Sequence, residues 1–193
     1  MATERRSITG CPEAHLTREP PTTPHEALRD RLEYDDARLL AECAVHTFRA
    51  SGPGGQKRNK TSSAVRLHHQ PSGLIVKAAE SRSQHENKAR ALRRLRETLA
   101  ISVRLPLPAE INWPTGVQIT DGRLKVSSSN PAINQVLGLV LDALQWAGGK
   151  LPEAAAHLGV TSSSLTRLLS EHPAAWIEAN RIRSLAGLSP LRN

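Results

Sequence analysis

A chain of 193 residues has room for one domain, a smaller module and a real hydrophobic core. Its net charge of +8 favours an anionic partner, while aromatics at 3% argue against a reader of single strands built on stacking platforms. No apolar run approaches a membrane span, no secretory signal is read at the start, and Cys11 and Cys43 lack zinc-site or disulfide spacing, so a reduced, soluble, cytoplasmic setting is expected.

Residues 1–22 are rich in proline and threonine without apolar periodicity and read as a flexible leader. Thr23-Pro24-His25-Glu26 combines an N-cap threonine, a proline at N1 and a glutamate at N3, which predicts a helix to about Tyr34. Asp35 or Asp36 then caps a short second helix, and Cys43–Arg49 is a strand. Ser51-Gly52-Pro53-Gly54-Gly55-Gln56 cannot be the interior of a helix or strand, since its glycines accept left-handed backbone and its proline fixes φ. It predicts a tight loop whose main chain can approach a partner closely. Ala64–His68 and Leu74–Ala79 alternate apolar and polar around a Gln70-Pro71-Ser72-Gly73 turn, a hairpin with Val65, Leu67, Leu74 and Val76 inward. Ser83 and Glu86 box the start of a long helix to about Ile101, with Leu92, Leu95 and Leu99 buried and Arg90, Arg93 and Arg94 on another face.

Residues 105–129 read as an irregular linker. Residues 130–193 read as a helical module, opened by Asn130-Pro131 and interrupted by Gly148-Gly149, in which Leu151–Leu169 resembles a helix-turn-helix. Its second helix carries only Arg167 as a base-reading cation, which disfavours a DNA-binding regulator. Trp113, Trp146 and Trp176 are expected to anchor the core of this half. The fold class is therefore α+β: a small antiparallel sheet with its glycine loop against a long basic helix in residues 23–104, then the helical module.

The charge is not spread evenly. Residues 49–104 hold 13 Lys and Arg against 3 Asp and Glu, while the flanks together are slightly acidic. Lys57, Arg58, Asn59 and Lys60 directly behind the loop, with Arg66, Arg82, Arg90, Arg93 and Arg94, form a candidate RNA-binding set through phosphate contacts. A neutral amide tip, Gln56, on such a base suits a loop that enters a polyanionic site to do more than neutralise it. His68 and His69 read as surface or satisfied histidines, and His46 and Cys43 are assigned no chemistry.

Phe48 to Gln56, Asn59-Lys60-Thr61, Ser63 to Leu67, Pro71-Ser72-Gly73 and Arg82-Ser83-Gln84, in this order, resemble the catalytic domain of class I peptide chain release factors. The resemblance covers about residues 36–100. It implies ribosome-dependent hydrolysis of the peptidyl-tRNA ester, with Gly54, Gly55 and Gln56 entering the peptidyl-transferase centre of the large-subunit rRNA. There the Gln56 N–H would face the oxygen on which charge develops, and its side chain would position water. It also makes Gln56 a candidate for N5-methylation, leaves no metal or cofactor role, and is compatible with a monomer. Two departures stand out: Lys57-Arg58 occupies the place of the family's histidine-valine, and neither a codon-recognition domain nor a stop-codon tripeptide is read. A chain this short resembles the codon-independent branch that rescues stalled ribosomes. The rival reading is a non-catalytic ribosome- or RNA-binding factor, against which the intact Gly54-Gly55-Gln56 argues.

Overall fold

The computed structural model describes residues 24–49 and 62–192. Helix α1 (Pro24–Asp30) gives way to a 3-10 turn at Arg31–Glu33, and Tyr34 is already extended, so the first helix stops short of the expected end. The side chain of Asp35 accepts from Arg38 N at 2.7 Å and caps α2 (Asp36–Ala41). Strands β1 (Cys43–Phe48), β2 (Ala64–His69) and β3 (Ile75–Ala78) form an antiparallel sheet in the order β1-β2-β3. The turn between β2 and β3 is one residue wider than a type I turn. Gly73 N donates to His69 O, and Gly73 takes the left-handed φ of 69° that glycine adopts without strain.

Helix α3 (Gln84–Ser102) starts on Ser83, whose hydroxyl accepts from Glu86 N, and lies across β2 and β3. Its buried Leu92, Leu95 and Leu99 meet Val65, Leu67, Val76 and Ala78, with Leu32 and Leu39 closing one end. Leu74, partly buried, packs against the same cluster.

The stretch expected to be an irregular linker contains a second hairpin. Strands β4 (Gln118–Thr120) and β5 (Arg123–Lys125) pair across Asp121 and Gly122, both at positive φ (52° and 70°). An Asp-Gly pair at these angles makes the type I′ turn whose twist matches two antiparallel strands. The next elements are α4 (Ile133–Trp146), α5 (Leu151–His157), α6 (Ser162–Glu171) and α7 (Pro173–Leu185). They bury a leucine- and alanine-rich core that also takes in Leu124 of β5, so the C-terminal half is not purely helical. Trp113 and Trp176 pack against this core, but Trp146 is 57% exposed and rests on His157 with ring centroids 4.7 Å apart. At about 100° per residue it stands about 200° round from the buried Leu144, on the outward face of α4.

The two cores are joined by a buried ion cluster. Asp142 of α4 accepts from Arg29 of α1 at 3.0 Å, from Arg104 at 2.9 Å and from Leu105 N at 3.1 Å. Burial pulls the Arg104 guanidinium down to about 10, with Asp142 offsetting part of that pull. Gly138 is what lets Arg29 in: a Cβ there would lie 1.8 Å from Arg29 Nη1. Among the described residues no helix is long and apolar enough to cross a membrane.

Candidate functional site

Gly54, Gly55 and Gln56 lie outside the described residues, as do Lys57, Arg58, Asn59 and Lys60. The structure describes the frame on either side of them. Phe48 and Ala64 are the last antiparallel pair of β1 and β2, so the intervening segment leaves one strand and returns on its neighbour.

The return is fastened by a residue that sequence reasoning missed. Asn87, fully buried in the first turns of α3, donates through Nδ2 to Ser63 O at 2.7 Å and to Ser81 O at 2.8 Å. Its Oδ1 accepts from Ser81 N at 2.9 Å. One amide thus ties the residue before β2 to the approach to α3. The signal was present: Asn87 heads the stripe Ala91, Leu95 and Leu99 at steps of four, and a polar residue at an inward position needs buried partners.

The sheet turns its other face outward. His46 pairs with Arg66 and Arg66 with Lys77 in one cross-strand row, and all three are exposed. Since α3 covers the inner face, Arg66 sits on the opposite side of the sheet from the arginines of α3. Those arginines also differ among themselves. Arg94 donates to Lys77 O and, at 2.6 Å, to Glu80, which that hydrogen bond holds below the usual carboxylate range. Arg90 lies 3.9 Å from Glu86, a loose pair. Exposed Arg93 lines a groove of about 630 Å³ between α3 and the start of α4, whereas Arg82 is exposed at the approach to α3. The structure therefore groups His46, Arg66 and Lys77, separates them from Arg90, Arg93 and Arg94, and occupies Arg94 internally.

His69, which ends β2, is fully buried. Its Nε2 lies 3.0 Å from Glu42 and its Nδ1 2.6 Å from the Ser72 hydroxyl, which braces the β2–β3 turn. Burial lowers the imidazole's pKa, against the pull of Glu42, so it is held neutral: Nε2 donates to the carboxylate and Nδ1 accepts from the hydroxyl. This is a satisfied structural histidine.

A strand pair whose intervening sequence carries three glycines, backed by an N-capped helix and flanked by cations, has counterparts in known proteins. Residues 40–130 match the RF-1 domain family. That match covers just under half of the chain. Its similarity to peptide chain release factor 1 of Nitrosospira multiformis is 58% identity over 63 residues, 33% of this chain and 17% of that protein. Against peptide chain release factor 2 of Acidithiobacillus ferrooxidans it is 54% over 59 residues, 31% of this chain and 16% of the relative. A longer alignment, 37% over 127 residues, joins it to peptide chain release factor 1 of Delftia acidovorans and covers 54% of this chain and 35% of the relative. The chain thus spans little more than a third of these relatives at most. The matched residues take in the sheet, α3 and the β4–β5 hairpin, and end where α4 is about to begin.

Proposed function

We propose that the protein hydrolyses the ester of peptidyl-tRNA on the ribosome and acts in codon-independent rescue of stalled ribosomes. The observation that carries this reading is the RF-1 match across residues 40–130, which contains an intact Gly54-Gly55-Gln56. In this reading the loop reaches the peptidyl-transferase centre of the large-subunit rRNA. The Gln56 N–H donates to the oxyanion that forms as water attacks the ester carbonyl, a role in which a fixed donor favours the transition state over the ground state. The Gln56 side chain orients that water and excludes bulkier nucleophiles, and its amide nitrogen is the candidate methylation site. Lys57, Arg58, Asn59, Lys60, Arg66, Arg82, Arg90 and Arg93 are assigned to rRNA phosphates. Arg94 is a weaker member of that set because Glu80 already holds it. The protein works as a cytoplasmic monomer without a cofactor, and the α5–α6 pair is a helix-turn-helix-like unit used for docking.

The test is release of labelled peptide from two ribosome complexes, one stalled without a codon in the decoding site and one halted at a stop codon. Release from the stalled complex that falls at least about 100-fold in Gln56→Ala and Gly55→Ala is the expected result. Equal release by the parent and both variants would remove the catalytic assignment and leave the non-catalytic docking factor. Release confined to the stop-codon complex would remove the rescue assignment.

A further inference from the structure

Residues 105–193 carry almost no net charge, 7 Lys and Arg against 6 Asp and Glu, yet their cations are not distributed as a neutral surface would have them. Lys150 is paired with Glu153 at 2.9 Å, Arg181 with Glu178 at 2.7 Å, and Arg183 donates to the carbonyls of Gly149 and Ser189. Arg123 and Lys125 of β5, both exposed, have no such partner among the described residues. They meet exposed Arg167 of α6, whose contact with Glu171 is long at 3.8 Å, around one groove of about 560 Å³. Three of the seven cations thus converge there from two elements that are distant in sequence.

The two elements are locked together. Thr161 N donates to Gly122 O at 2.7 Å, and Leu124 N donates to the buried Ser164 hydroxyl at 2.8 Å. Leu124 sits in the core, so strand alternation turns its neighbours Arg123 and Lys125 outward. On α6, Ser163 and Arg167 are one turn apart on the outer face, while Leu165, Leu168 and Leu169 are buried. The groove is therefore a fixed cationic surface and not a chance meeting of flexible side chains.

From this we infer that the β5–α6 groove binds the phosphate backbone of double-helical RNA. The lining is Arg123, Lys125, Thr161, Ser163, Ser164 and Arg167. Among the described residues it contains no aromatic ring on which an unpaired base could stack, and no Asn or Gln to pair with an adenine edge, which favours a duplex held by its phosphates. The choice of RNA over DNA rests on the ribosomal reading above. The groove would give the molecule a second grip on RNA, separate from the segment between β1 and β2.

The experiment is fluorescence anisotropy of the full chain with a labelled 20-base-pair RNA duplex over a potassium chloride series, with a DNA duplex and an RNA single strand of the same sequence beside it. Arg123→Ala/Lys125→Ala/Arg167→Ala is expected to weaken RNA-duplex binding at least about tenfold. The slope of log K against log salt should become shallower by about 2 to 3, at about 0.9 per lost phosphate contact. Arg123→Lys/Arg167→Lys should keep the parent slope, with the thermal melt of every variant unchanged because the replaced side chains are exposed. An unaltered affinity and slope in the triple variant would overturn the inference, as would a loss seen only with DNA or only with the single strand. Peptide release keeps the two readings apart: groove-dependent RNA binding without any release activity refutes the hydrolase and not the groove, and release with groove-independent binding does the reverse.

Discussion

Replacing Asn87 by alanine probes the fastening of the sheet to α3 most directly. The substitution removes three hydrogen bonds at once, two donated to Ser63 O and Ser81 O and one accepted from Ser81 N. At about 1 kcal/mol net for each, the expected loss is about 3 kcal/mol. With a urea dependence of about 2 kcal/mol/M, the unfolding midpoint should fall by about 1.5 M, read by circular dichroism because the tryptophans report on the other core. Asn87→Asp is the sharper variant. A carboxylate keeps the contact with Ser81 N but turns its lone pairs on two carbonyl oxygens, so it should be at least as unstable as alanine at neutral pH. If the proposed function holds, loosening Ser63 also misplaces the returning end of the reacting segment, and release at saturating ribosomes should fall about 10- to 100-fold. A midpoint that moves by less than about 0.3 M in Asn87→Ala would refute the assignment of Asn87 as the fastening residue.

Other perturbations test other joints. Asp142→Asn leaves two buried guanidiniums facing each other without a counter-charge and should cost about 3–5 kcal/mol in denaturant unfolding. Gly138→Ala should displace Arg29 and destabilise the parent, yet cost much less in an Arg29→Ala background; equal costs in the two backgrounds would show that Arg29 is not what Gly138 accommodates. Leu95→Ala, fully buried where α3 meets the sheet, should cost about 2–5 kcal/mol, measured the same way. Acid should weaken the fold in two stages. His69 is held below its ordinary pKa, so its contribution is complete above about pH 6.5 and lost as pH falls from there through the folded value. Burial raises the Glu42 pKa, but hydrogen bonds from Arg31 and His69 lower it further, so Glu42's contribution is complete above about pH 4.5 and lost in stronger acid. His69→Gln should flatten the stage that begins below about pH 6.5 and leave the lower stage to the hold of Arg31 on Glu42.

What the sequence reveals follows the range of the forces involved. Alternation of period two is a local signal, and it locates Val65, Leu67 and Val76 correctly; so does the four-residue stripe that sets Leu95 and Leu99 inward. The β4–β5 hairpin escapes because three-residue strands are too short to show a period, and neighbouring prolines mask the Asp121-Gly122 turn. Trp146 misleads because its size suggests burial, whereas its angle from Leu144 points it outward. No pattern links Arg29 to Asp142, which lie 113 positions apart. Arg66 and the arginines of α3 look like one patch in the sequence and fall on two sides of a sheet in space.

The shared carboxylate at Asp142 bears on any attempt to work with half of this molecule. A fragment excised at residue 130, where the RF-1 domain match stops, would keep Arg29 and Arg104 but discard the acid that both of them need. Such a fragment is expected to be recovered soluble only when Arg29 and Arg104 are exchanged for leucine and methionine. Recovery of the unaltered piece as a cooperatively folding unit would mean that water can take the place of that acid.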